Sequence, residues 1–152
     1  MRALEKSGGR DMGRMTKVLL IEDSKFLRLA TERALTRAGY EVSTADDGEV
    51  ALRVAREKLP DLILLDLLLP KMTGLEVLKA LKSDPATAGI AVVVLTGMSG
   101  KNAGRLQQDG AFAFLGKDEL ALDRGAQGLL GAMEKIVERL HLTVPVRVGA
   151  AK

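Results

Sequence analysis

Residues 18–21 (VLLI), 62–65 (LILL), 90–95 (IAVVVL) and 111–115 (AFAFL) are short runs of almost unbroken apolar character, and residues 40–45 (YEVSTA) alternate. Each run is strand-length, and a helix-length stretch separates most of them. A strand that is apolar at consecutive positions must be covered on both faces, which is the condition of a parallel sheet held between two helical layers. Strands alternating with helices then give five βα units in one small doubly wound α/β domain. This pattern constrains the fold more than any other feature of the chain.

The intervening stretches have helical spacing. Leu27, Ala30, Thr31, Ala34 and Ala38 recur after the first run, with Gly39 as a stop. Asp46, three residues before Glu49, predicts a capped helix through Val50, Leu52, Val54 and Ala55 that ends before Pro60. Residues 74–81 place Leu75, Leu78 and Leu81 on one side, and Leu129, Met133, Ile136, Val137 and Leu140 form the stripe of a final helix. The segment 99–110 (SGKNAGRLQQDG) differs, because Gly100 and Gly104 interrupt it and Leu106 is its one large apolar residue. Each glycine costs a helix interior about 1 kcal/mol relative to alanine, so a short or irregular helix is expected there.

The 152 residues suffice for one domain with a real core, and the absence of cysteine excludes disulfides, thiolate metal clusters and a thiol nucleophile. No apolar run is long enough to cross a bilayer, and the N-terminus lacks the apolar core of a signal peptide, so a cytoplasmic protein without membrane insertion is expected. The net charge of +3 belongs to the ends: residues 18–141 hold 16 bases against 18 acids. Residues 1–16 read as a disordered leader, residues 17–141 as the domain and residues 142–152 as a flexible tail. Five positive charges divided between two tails, with three Phe and one Tyr in the chain, make a poor nucleic-acid footprint.

Ligands of a parallel α/β sheet bind beyond the carboxyl ends of the strands. The residues at those ends are Glu22 and Asp23, Asp66, Thr96 and Lys117. Carboxylates brought together repel one another and need a cation, and oxygen donors select a hard ion such as Mg²⁺. Each member has a plainer reading: the acids as helix caps, Thr96 as a strand end, Lys117 as a solvated loop lysine. Asp66 is poor as a turn residue, because it interrupts an apolar run. Asp46-Asp47-Gly48 lacks the remaining ligands of a calcium loop, and His141, the only histidine, is explained by the favourable charge at a helix end.

The segments VLLIEDS, LILLDLLLPKMTGLEVLKAL, VVVLTG and FAFLGK, spread from about Lys17 to Leu140, resemble the receiver domain of two-component response regulators. The resemblance implies a flavodoxin-like five-stranded parallel sheet in the order 2-1-3-4-5. It implies that Asp66 accepts a phosphoryl group from a phosphohistidine. Asp23, Asp66 and the backbone carbonyl of Leu68 would then bind Mg²⁺ directly, and Glu22 through coordinated water. Lys117 and Thr96 would meet phosphoryl oxygens, Gly97 would leave room for them, and Thr96 with Phe114 would form the switch. The implied partners are a sensor histidine kinase or a histidine phosphotransfer protein and a downstream protein target, with the chain a monomer or a phosphorylation-dependent dimer. Asp118 stands where the family usually has a proline after a cis peptide, and residues 118–127 are longer than usual.

A stand-alone signalling receiver, not an enzyme with a separate substrate, is the leading expectation, since the 11 residues after residue 141 hold no output domain. A carrier in a phosphorelay is equally compatible. The runner-up is a pseudo-receiver that is never phosphorylated and acts as an adaptor. A phosphatase of the haloacid-dehalogenase type needs an acid two residues after its nucleophile, and Leu68 is there instead. Leu68 and Met98 cannot orient an attacking water, so slow self-dephosphorylation is expected.

Overall fold

The structure, a computed structural model, describes residues 15–96, 107–116 and 127–142. The elements run β1 (Lys17–Ile21), α1 (Lys25–Arg37), β2 (Glu41–Ala45), α2 (Gly48–Lys58), β3 (Leu62–Asp66), α3 (Gly74–Ser83), β4 (Ala91–Thr96), β5 (Ala113–Gly116) and α4 (Gln127–Arg139). The five strands form one parallel sheet in the order β2-β1-β3-β4-β5. The expected fold is therefore observed. Order reverses between β1 and β3, which opens a crevice at their carboxyl ends.

The unbroken apolar runs follow from this topology. Alternate residues Val18, Leu20, Leu62, Leu64, Val93 and Leu95 join Leu35 of α1 and Leu129, Met133, Ile136 and Val137 of α4 in one core layer. Their neighbours Leu19, Ile21, Ile63, Leu65, Val92 and Val94 join Ala51 and Ala55 of α2 and Val77, Leu78 and Leu81 of α3 in the other. Full burial of one such aliphatic side chain stabilises the fold by about 1.5–3 kcal/mol. β2 lies at the sheet edge, and its alternating sequence matches its mostly half-exposed residues.

Several helix faces differ from the periodic reading. In α2 it is Ala51 and Ala55 that are fully buried, while Val50, Leu52 and Val54 lie at the margin. In α1 the buried residues are Thr31 and Leu35, and in α3 Val77 joins Leu78 and Leu81 while Leu75 is half-buried. In α2 small side chains lie innermost, whereas α1 and α3 bury Leu35, Val77, Leu78 and Leu81, so hydropathy alone does not locate the innermost line of a helix. The cap of α2 is Asp47 and not Asp46: its side chain accepts from the Val50 backbone N–H at 2.9 Å. β2 runs through Ala45 and α2 begins at Gly48, which leaves Asp47 as the residue in the capping position. β5 begins at Ala113, later than expected, although Phe112 N–H already donates to Val92 O.

The expected stop of α1 holds: Ala38 is the C-cap and Gly39 follows with φ of 102°. α2 ends on Leu59 in the left-handed region, just before Pro60. α3 begins with a reciprocal capping box in which Thr73 Oγ1 accepts from Glu76 N–H at 3.1 Å and the Glu76 carboxylate accepts from Thr73 N–H at 2.9 Å. Residues 1–14 of the expected leader (residues 1–16), most of segment 99–110, the Lys117–Asp118 loop and residues 143–152 of the expected tail (residues 142–152) lie outside the described residues. Thr16 is buried, its carbonyl accepting from Glu41 N–H at 3.0 Å, and Leu142 packs against the core. Among the described residues, no helix is long and apolar enough to cross a membrane.

Candidate functional site

Strand register assembles the site. Ile21 of β1 is level with Leu65 of β3, so Glu22, the next residue on one chain, is level with Asp66, the next on the other. Asp66 is in turn level with Leu95 of β4, one residue before Thr96, and Thr96 is paired with Gly116 of β5. Glu22, Asp23 and Asp66 thus converge at the switch point, with one carboxylate oxygen from each within 4.8 Å of the others. Glu22 and Asp66 are buried and Asp23 is exposed, so the cluster has a closed floor and an open mouth.

Capping does not account for the two acids after β1. The N-cap of α1 is Ser24, whose side chain accepts from Leu27 N–H at 3.3 Å. Glu22 instead accepts from Ser24 N–H at 3.1 Å through Oε2, and Asp66 Oδ1 accepts from Leu68 N–H at 3.1 Å. Each carboxylate is therefore oriented by the backbone of the turn that follows its strand. The donor set is all oxygen, which suits a hard divalent ion and no soft one.

Two further residues shape the site and were not singled out from the sequence. Gly74, the first residue of α3, packs directly on the loop after β3: a Cβ there would lie 2.5 Å from Leu67 Cα and 2.7 Å from Asp66 O. Its own N–H donates to Leu67 O at 2.9 Å. Arg28 of α1 donates through Nη1 to the backbone carbonyls of Glu22 at 3.1 Å and Asp23 at 3.3 Å. Neither role has a sequence signal of its own, because both depend on which backbones the fold brings together.

The loop after Asp66 is tied to α2. The Lys71 ammonium lies 3.4 Å from the Asp47 carboxylate, and Met72 packs where a Cβ on Gly48 would sit. The Val50 N–H, with Lys71 beside it, holds the Asp47 carboxyl below the ordinary carboxylate range. A depressed folded value means stability that is present above the unfolded value of about 4 and is lost as pH falls through the folded one. Asp47→Asn keeps the cap and removes the charge. Its urea midpoint is expected below wild type at pH 7, with the gap closing at pH 3; a gap unchanged at pH 3 would rule out the charge as its origin.

Of the residues the sequence singled out, the structure brings together Glu22, Asp23 and Asp66, and the backbone contact of Leu68 with Asp66 runs through its N–H and not through the carbonyl expected to bind the metal. Thr96 ends β4 beside them in backbone register, its side chain outside the described residues, as are Gly97, Met98 and Lys117. Phe114 lies in β5, half-buried against the layer formed with α2 and α3. Leu68 is 75% exposed, so its side chain does not pack in the core.

Comparison with known proteins agrees with this geometry. Residues 18–124 match the response regulator receiver domain. The chain is 43% identical over 103 residues to the response regulator PleD of Caulobacter vibrioides, covering 66% of this chain and 22% of PleD. It is 40% identical over 105 residues to the polar-differentiation response regulator DivK of Brucella ovis, covering 68% of this chain and 85% of DivK. Among solved structures, the chemotaxis protein CheY4 of Vibrio cholerae superposes with a TM-score of 0.72 at 31% identity, covering 81% of this chain and 99% of that one. The phosphorylated cyanobacterial phytochrome response regulator RcpA does so with a TM-score of 0.71 at 31% identity, covering 88% and 100%. The matched region is thus a small part of PleD and most of DivK. With the sheet order, the strand-end carboxylates and this match in agreement, the chain belongs to the response regulator receiver domain family.

Proposed function

We propose that Asp66 accepts a phosphoryl group from a phosphohistidine on a sensor histidine kinase or a histidine phosphotransfer protein, and that the phosphorylated domain signals to a protein partner. The observation that supports this best is the convergence of Glu22, Asp23 and Asp66 within 4.8 Å at the switch point. One Asp66 carboxylate oxygen attacks phosphorus, the P–N bond breaks, and the departing imidazole takes up a proton. The Leu68 N–H on Asp66 Oδ1 fixes the carboxylate's rotation about its strand end. Glu22, Asp23, Asp66 and the Leu68 carbonyl would hold Mg²⁺, which when bound supplies positive charge against the carboxylates and the phosphoryl oxygens. Thr96 and Lys117 are assigned to those oxygens and Phe114, with Thr96, to the switch, on the resemblance. RcpA, a relative in fold, was solved in its phosphorylated form. The site acts on its own carboxylate, a signalling role and not that of an enzyme with a separate substrate; a cytoplasmic setting fits that role.

The deciding experiment incubates the chain with Mg²⁺ and a small phosphodonor, and reads intact mass for wild type and Asp66→Ala. One added phosphoryl group on wild type and none on the variant supports the reading. Mg²⁺ binding without any adduct would sink it and favour an adaptor that is never phosphorylated.

The exposed apolar side chain of Leu68, two residues beyond Asp66, offers no hydrogen bond to an attacking water. Leu68→Asn supplies one. Its phospho-Asp66 half-life is expected to be about fivefold shorter than wild type, equivalent to about 1 kcal/mol of barrier. An equal or longer half-life, followed by loss of the phosphoryl mass, would count against a water-orienting role for this position.

A further inference from the structure

The turn carrying Glu22 and Asp23 joins a buried strand end to an exposed helix start, and two carboxylates on so short a turn need a fixed backbone to face a third. Arg28 provides a contact of the right kind. It lies on the first turns of α1, and one of its guanidinium nitrogens donates to the carbonyls of both Glu22 and Asp23, at 3.1 and 3.3 Å. Its own backbone N–H donates to Ser24 O at 2.8 Å, so the residue is anchored at both ends of the same turn. The turn so closed directs Ser24 N–H onto Glu22 Oε2 at 3.1 Å and Ser24 Oγ onto Leu27 N–H at 3.3 Å. Arginine suits this place because its planar guanidinium presents its N–H groups in fixed directions, whereas a lysine ammonium is a compact, strongly hydrated point charge whose three donors rotate freely.

We propose that Arg28 is a positioning residue for the metal site: it grips the peptide carbonyls of the two acids and thereby aims their carboxylates toward Asp66. This rests on reading Glu22, Asp23 and Asp66 as Mg²⁺ ligands. Arg28 touches the peptide carbonyls of the two acids and is assigned an effect through the turn they lie on. Its two physical effects on metal binding have opposite signs. As a nearby positive charge it disfavours a cation, so its removal would tighten binding. As the clamp of the turn it organises the ligands, so its removal weakens binding. The sign of the change therefore decides which effect dominates.

The test is a calorimetric Mg²⁺ titration of the full chain as wild type, Arg28→Ala and Arg28→Lys, with amide hydrogen exchange at Ser24 measured without metal. Loss of an outer partner of a metal ligand costs about 10–100-fold in affinity. Arg28→Ala is expected near the lower bound, with faster Ser24 exchange, and Arg28→Lys between it and wild type. If wild type binds Mg²⁺ and Arg28→Ala binds it equally or more tightly, the positioning role is overturned while the metal reading stands. If wild type binds no Mg²⁺, the metal reading fails and the positioning role falls with it. Should Arg28→Ala not fold, the wild-type and Arg28→Lys titrations decide: equal affinities and equal Ser24 exchange overturn the proposal.

Discussion

Gly74→Ala is expected to destabilise the domain by about 1–3 kcal/mol, the usual range for forcing atoms into a packed site. The added Cβ would lie 2.5 Å from Leu67 Cα and 2.7 Å from Asp66 O, and both are backbone atoms that no side-chain rotation can move away. Either α3 withdraws from the sheet or the loop after β3 shifts. The second course disturbs the Leu68 N–H bond that orients Asp66, so phosphoryl uptake is expected to fall together with stability. Intrinsic propensity alone predicts the reverse, since alanine favours a helix over glycine by about 1 kcal/mol. Gly131 in α4 supplies the control: a Cβ there meets nothing within 4 Å, and Gly131→Ala is expected to raise stability. Urea unfolding of both variants checks the pair. A Gly74→Ala protein as stable as wild type would show that the contact at the start of α3 yields easily.

Asp23→Asn is expected to change sign with metal. In chelator the variant should be the more stable, because three carboxylates with oxygens within 4.8 Å repel one another. At that separation a pair of unit charges interacts by about 1 kcal/mol in water-like surroundings, and exposure of Asp23 together with added salt reduces the figure. With Mg²⁺ at about ten times its dissociation constant, wild type should gain about 1.4 kcal/mol from binding that the unfolded chain does not match. The variant, short of one charged ligand, should gain little. Thermal unfolding of both proteins in chelator and in Mg²⁺ measures the crossing. Equal stabilisation of the two by Mg²⁺ would remove Asp23 from the ligand set, and a variant weaker in chelator would show that its carboxylate has a structural role outweighing the repulsion.

Both predictions concern residues whose behaviour was differently legible. Asp23 and Asp66 could be picked out from sequence because each follows an apolar run that only a doubly covered strand explains, and parallel strands present their ends to one crevice. The family motifs added roles to residues already marked by that placement. Gly74 carried no comparable mark: within its segment it reads as a helix start, and its contact with Asp66 O exists only once α3 folds back on β3. Arg28 likewise reads as an ordinary helix arginine until α1 brings it beneath the turn it grips.

What the chain determines by itself is therefore which strands are covered on both faces, the number of βα units and the identity of the residues at the strand ends. These follow from local patterns, period two against period 3.6 and apolar against charged, which need no knowledge of neighbours. The tertiary structure decided the rest. It chose Asp47 over Asp46 as the α2 cap and made Ala51, Ala55, Leu35 and Val77 fully buried members of the core. It also set the register that puts Glu22 level with Asp66. Each of these depends on the distance between elements far apart in sequence, and that distance is fixed by packing two helical layers on one sheet.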